Sequence, residues 1–162
     1  LRFGFRIVRG EILQAARHGI WSFHHGDSAR YRGGPAHLWE LVERNPVSGV
    51  VLQEITEELD AGHVLARGLF ATAPSLSVAE NRFGPYWSSQ HFVIRTLHEL
   101  HERGIVHREE TAERAYFGRR KIYRRPTNKE VAGWLTAELG RRGAAYVRRT
   151  LPRRGPELRR RP

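Results

Sequence analysis

Apolar and polar positions alternate along this chain in short blocks. Ile20–His24 is rich in aromatic and β-branched residues, Ser48–Ile55 reads SGVVLQEI, and Val64–Ala71 is apolar again. These blocks predict three strands, the second of them buried. Leu1–Val8 is apolar and aromatic with interspersed Arg, consistent with a strand end or the loop after it. Glu11–Gly19, EILQAARHG, predicts a short helix with His18 in its last turn and Gly19 as its closing residue. Pro35 opens a second helical pattern, AHLWELVER, whose Leu38, Leu41 and Val42 share one face and which Asn45-Pro46 ends. Strands and helices in alternation predict an α/β layer architecture.

Beyond residue 71 the pattern is helical. Val93, Leu97 and Leu100 fall on one face of a helix expected over Pro85–Arg103. Thr127-x-x-Glu130 is a capping box ahead of a stripe of Val131, Trp134, Leu135 and Leu139. After Leu151 the chain is Pro- and Arg-rich, and residues 152–162 are expected to be disordered. No internal repeat is visible.

Charge changes the picture only at one end. The chain carries +11 overall, which by itself suggests nucleic acid. From Arg141 onward there are nine Arg and one Glu, a net of +8, so residues 1–140 hold 19 basic and 16 acidic residues, a net of +3. The basicity belongs to the tail, and a solvated tail is its default reading. Cysteine is absent, which excludes disulfides and thiolate-bound zinc and points to a cytoplasmic setting. No apolar run approaches the ~20 residues of a membrane-spanning helix. Methionine is absent too and the chain opens at Leu1, so a fragment or processed chain is expected, with its missing part upstream.

The candidate chemistry lies in WSFHHGDSARYRGGP, residues 21–35. Neighbouring side chains on a strand point to opposite faces, so His24 and His25 cannot both enter one site while the strand continues. Ser22 and His24 share a face. His24, His25 and Asp27 match no usual zinc spacing, and no metal is expected. Asp60, in the polar loop TEELDAGH, follows a buried strand, and α/β folds gather ligands at the carboxyl ends of strands. Asp60 and His24 can therefore form an acid–base pair. The plainer readings are a structural histidine at a strand end and an aspartate that serves the turn.

The ordered set Ser22-Phe23-His24, Tyr31-Arg32-Gly33, Pro35, Ser48-Gly49-Val50-Val51 and Leu59-Asp60-Ala61-Gly62 resembles the formyltransferases that use 10-formyltetrahydrofolate, the methionyl-tRNA formyltransferase-like catalytic domain. The match covers roughly residues 3–70. It implies a formyltransferase-type, Rossmann-like three-layer fold with a central, largely parallel sheet and C-terminal helices, present in part. Residues 1–110 would be the C-terminal half of the catalytic domain, 111–151 a helical extension and 152–162 the tail. The resemblance implies that the family's N-terminal half lies outside this sequence, and low stability alone or completion by another segment is then expected.

The resemblance also implies roles. His24 and Asp60 would be catalytic, with Ser22 standing where the family has Asn. Arg6 and Ile7 would line the pterin pocket, and Glu58, Leu59 and Gly62 would lie against the folate. Asp27, Tyr31, Arg32 and Gly33 would form the acceptor loop; Gly26-Asp27-Ser28-Ala29 replaces the family's Ser-Leu-Leu-Pro. The implied reaction moves a formyl group from 10-formyltetrahydrofolate to the amino group of a small molecule such as an amino sugar, with no metal. Methionyl-tRNA as acceptor, water as acceptor in a deformylase, and a non-catalytic remnant are the alternatives. No membrane partner is implied, and the oligomeric state is left open.

Overall fold

The computed structural model describes residues 1, 7–73, 77–109 and 122–150. Arg6, much of the expected helical extension and the Arg-rich tail lie outside the described residues. The chain divides into two units, Leu1–Arg125 and Pro126–Pro162.

The first unit is built on β1 (Trp21–His24), β2 (Arg32–Gly33), β3 (Val47–Glu54), β4 (His63–Ala71) and β5 (Ile122–Tyr123). Strands β1, β3 and β4 form one sheet in the order β1-β3-β4, with both pairings antiparallel. Strands β2 and β5 form a small parallel pair. A largely parallel central sheet is therefore not what the described residues contain. The physical reason is the connection between β3 and β4. Residues 55–62 are too few for the dozen or so that a parallel crossover needs, so β4 folds back as a hairpin. Gly62 makes that hairpin possible, because a Cβ there would meet the Glu54 carbonyl oxygen at 2.0 Å.

The pleat separates two faces. Trp21 and Phe23 join Val50, Leu52, Leu65, Ala66 and Phe92 in the apolar core. Ser22 and His24 lie on the other face, opposite Gln53 and Val51 in register. Helix α1 (Trp39–Val42) is short; α2 (Val78–Ser89) packs against β3 and β4, and α3 (His91–Arg103) against β4.

Several helices differ from the expectation. Only a 3-10 turn, Glu11–Gln14, forms within the predicted helix over 11–19. The pattern after Pro35 yields only α1, because His37 (φ 61°) and Arg44 (φ 58°) take left-handed backbone on either side of it. The single helix expected over 85–103 is two. Helix α2 begins earlier, capped by Ser77, whose Oγ accepts the Glu80 N–H at 3.3 Å. Val93 and Leu100 pack on the core, while Leu97 of the same stripe is exposed. Buried Asn81 ties α2 to the rest: it donates to the His37 carbonyl and to Ser48, and accepts from the Ala73 N–H.

The second unit holds α4 (Asn128–Thr150). Its capping box forms as expected: Thr127 Oγ1 accepts the Glu130 N–H at 3.3 Å and Glu130 Oε2 accepts the Thr127 N–H at 2.6 Å. Among the described residues no helix is long and apolar enough to cross a membrane.

Candidate active site

Strand β1 ends at His24, which is 7% exposed. The chain then doubles back tightly at Gly26, where a Cβ would stand 2.8 Å from the imidazole. This turn brings the Tyr31 carbonyl to 2.6 Å from His24 Nε2, so Nε2–H donates to it. The other ring nitrogen, Nδ1, faces Asp60 Oδ2 at 3.4 Å. That is longer than an ordinary hydrogen bond, which leaves a ligand atom able to compete for either group.

Asp60 is aimed by three features. Its own backbone is left-handed (φ 49°), a conformation that Asp tolerates better than most residues. Its carboxylate accepts the Gly33 N–H at 2.9 Å. The residue before it, Leu59, offers its carbonyl to the buried guanidinium of Arg32 at 2.5 and 2.8 Å. Arg32 also reaches Glu58 at 3.7 Å. The Tyr31-Arg32-Gly33 segment thus grips both members of the pair, the histidine by a carbonyl and the aspartate's loop by a guanidinium and an amide.

Asp60 and Ser22 border a cleft of about 450 Å³, whose walls include Ile7, Gln53, Glu58, Leu59 and Gly62. The expected folate-side residues Ile7, Glu58, Leu59 and Gly62 therefore meet at one place, together with two of the expected catalytic residues. Arg6 lies outside the described residues. The Ser22 hydroxyl donates to the Phe23 carbonyl at 3.3 Å. Asp27, expected in the acceptor loop, accepts the Ala29 N–H at 3.2 Å and is ion-paired to Arg67, which also bonds Glu109 at 3.0 Å. In this arrangement Asp27 anchors its loop to β4. The Tyr31 phenol donates to Glu43 at 3.2 Å and accepts from Asn45 at 3.0 Å.

A second, smaller cavity of about 190 Å³ is bordered by His25, Tyr31, His37, Trp39, Glu40 and Tyr123. His25 Nδ1, both ring nitrogens of His37 and Glu40 Oε1 are buried there without hydrogen-bond partners among the described residues. Burial, reinforced by His24 and Arg82, lowers His25 to about 4. Burial, reinforced by His25 and Arg82, lowers His37 likewise to about 4. Burial raises the Glu40 carboxyl to about 7. Both imidazoles are therefore neutral near pH 7. Among the described residues no group of three or more His, Cys, Asp or Glu is spaced to hold a metal ion.

Sequence reasoning passes over Gln53, Arg67, Asn81, His37 and Glu40. Gln53 had a visible signal, a lone amide inside the buried run VVLQEI, but its partner across the sheet depends on a register that the chain does not spell out.

No family model matches the chain. Its fold is nevertheless that of the formyltransferases. It is similar to an N-formyltransferase from Helicobacter canadensis crystallised with folinic acid and dTDP-3-aminofucose, at 15% identity and a TM-score of 0.53 over 78% of this chain and 49% of that one. It is similar to WlaRD, a sugar 3N-formyl transferase, at 15% identity and a TM-score of 0.52 over 76% and 48%. HypX from Aquifex aeolicus, in complex with tetrahydrofolic acid, aligns at 24% identity and a TM-score of 0.50 over 68% and 18%. The chain thus spans about half the length of the first two and a smaller share of the third.

Proposed function

We propose that this chain carries the formyl-transfer site of a 10-formyltetrahydrofolate-dependent enzyme whose acceptor is the amino group of a small molecule. The observation that carries this reading is the meeting of His24 and Asp60 at 3.4 Å beside a cleft bordered by Ser22, Ile7, Glu58, Leu59 and Gly62. The fold likeness supports it, since one of the similar proteins is a sugar 3N-formyl transferase and another is an N-formyltransferase crystallised with dTDP-3-aminofucose.

In this reading the formyl donor lies in the cleft against the 55–62 loop. The acceptor amine attacks the formyl carbon and the carbonyl electron pair moves to oxygen. His24 stabilises that oxyanion once the ligand displaces the Tyr31 carbonyl from its Nε2–H. The amine's proton passes to Asp60, directly or through water, and finally to the folate nitrogen as the carbon–nitrogen bond breaks. The products are a formamide and tetrahydrofolate. No metal takes part. Tyr31, Arg32 and Gly33 hold the pair in place and border the acceptor side, where Asp27 steadies the loop.

The test is formyl transfer from 10-formyltetrahydrofolate to amino-sugar nucleotides, with His24→Ala and Asp60→Ala as controls. Loss of transfer in both variants with folding intact is expected; transfer that survives both contradicts the reading. A folate-binding, non-catalytic role has one observation in its favour, the engagement of His24 Nε2 with the Tyr31 carbonyl. It predicts saturable folate binding with no transfer to amines or water.

A further inference from the structure

The backbone of Tyr31–Gly33 bonds to the catalytic pair and, separately, to a distant piece of the chain. The Tyr31 carbonyl meets His24 Nε2 at 2.6 Å, and the Gly33 N–H meets Asp60 at 2.9 Å. Strand β2 is only Arg32 and Gly33, followed by Gly34, and glycine backbone has wide freedom. Its stiffness must therefore come from what it packs against. That support is β5: Arg32 and Gly33 pair in parallel with Ile122 and Tyr123. The Gly34 N–H donates to the Tyr123 carbonyl at 3.1 Å. The approach is so close that a Cβ on Gly33 would stand 2.2 Å from that carbonyl oxygen. The Tyr123 side chain makes a second connection. Its hydroxyl donates to Glu43 Oε1 at 2.8 Å, while the Tyr31 hydroxyl donates to Oε2 of the same carboxylate at 3.2 Å. The Tyr123 ring centre lies 5.2 Å from those of Tyr31 and Trp39. Tyr123 is thus joined to His24 through Tyr31 and to Asp60 through Gly33.

We infer that Tyr123 is a positioning residue for formyl transfer: it holds the Tyr31–Gly33 segment in the arrangement that sets the His24 imidazole and the Asp60 carboxylate for the reaction. The inference rests on the formyl-transfer reading. Tyr123 does not border the cleft beside Ser22 and Asp60, and it acts through its neighbours. Its ring and its link to Glu43 fix Tyr31, whose carbonyl keeps a proton on His24 Nε2 until the ligand displaces it. Its backbone fixes Gly33, whose N–H holds the same Asp60 oxygen that faces His24. A displacement of about 1 Å in such a constellation can cost about 10²-fold in rate. Tyr123 exchanges no proton.

The experiment compares the whole chain with Tyr123→Ala, which removes ring and hydroxyl, and with Tyr123→Phe, which removes only the hydroxyl. Circular dichroism and thermal unfolding give the folded fraction of each. Per folded molecule, kcat is expected to fall about 10²-fold in Tyr123→Ala and about 2–10-fold in Tyr123→Phe. The KM for 10-formyltetrahydrofolate is expected to stay within about twofold of the parent, because the cleft is untouched. Ring-nitrogen NMR of the free proteins at alkaline pH, assigned with His24→Gln, gives a readout that a merely stabilising tyrosine would not move. The parent is expected to carry the imidazole proton on His24 Nε2, and Tyr123→Ala to lose that preference. An unchanged kcat and an unchanged His24 proton in Tyr123→Ala overturn the assignment and leave the formyl-transfer reading intact, whatever happens to the unfolding temperature. Should that variant not fold, the same result in Tyr123→Phe overturns it. A donor KM that rises as much as kcat falls also overturns it, because Tyr123 then only shapes the cleft. If the parent transfers no formyl group, the formyl-transfer reading fails and the assignment falls with it.

Discussion

Asp60 Oδ2 lies 3.4 Å from His24 Nδ1 while accepting the Gly33 N–H at 2.9 Å. One carboxylate thereby links the end of β1, the Tyr31–Gly33 segment and the β3–β4 hairpin. Asp60→Asn separates its two duties: the amide oxygen can still accept from Gly33, but the charge beside the imidazole is lost. Expected is a folded protein with unimpaired folate binding and formyl transfer reduced by about 10²–10⁴-fold. Steady-state kinetics alongside circular dichroism decide it, and a rate within twofold of the parent contradicts a proton-accepting role.

Gly62 is a backbone requirement. Its missing Cβ would sit 2.0 Å from the Glu54 carbonyl oxygen, a fixed backbone atom that cannot step aside cheaply. Gly62→Ala is expected to destabilise the first unit by about 2 kcal/mol or more. Gly133, inside α4 with nothing within 4 Å of its missing Cβ, is the control. There Ala should stabilise by about 0.5–1 kcal/mol. Urea unfolding of both variants checks the contrast.

The second cavity predicts a pH signature. Burial raises Glu40 to about 7 from an ordinary value of 4.5, so between those limits the folded state holds a proton that the unfolded chain has released. Stability contributed by this group is complete below about 4.5 and is lost as pH rises toward 7. His25 and His37, lowered to about 4 from 6.5, act in the opposite sense: their contribution is lost as pH falls from about 6.5 to 4. Glu40→Gln removes only the first effect. Its stability relative to the parent should climb with pH between 4.5 and 7, by at most about 1.4 kcal/mol per unit, and level off above. A flat difference across that range contradicts the burial of an ionisable Glu40.

Much of this site can be read from the chain, and the rest depends on register. Strand alternation alone separates Ser22 and His24 from Trp21 and Phe23, and the sheet preserves that division. The expected parallel sheet overlooks the 55–62 connection, which is too short for a crossover and returns β4 antiparallel to β3. Helix extents do not follow, because left-handed residues at His37 and Arg44 cut a helical pattern that is apolar on one face. The burial of Gln53, His37 and Glu40 is equally hidden. A polar residue in an apolar run shows neither which neighbour it will face nor whether its polar atoms will find partners.

The central claim is that the cleft beside His24 and Asp60 binds a formylated folate. Hydrogen–deuterium exchange of the chain with and without saturating 10-formyl-5,8-dideazafolate tests it directly. The expected result is saturable binding with protection concentrated in residues 55–62 and 21–24. Absence of saturable binding, or protection confined to other segments, contradicts the account.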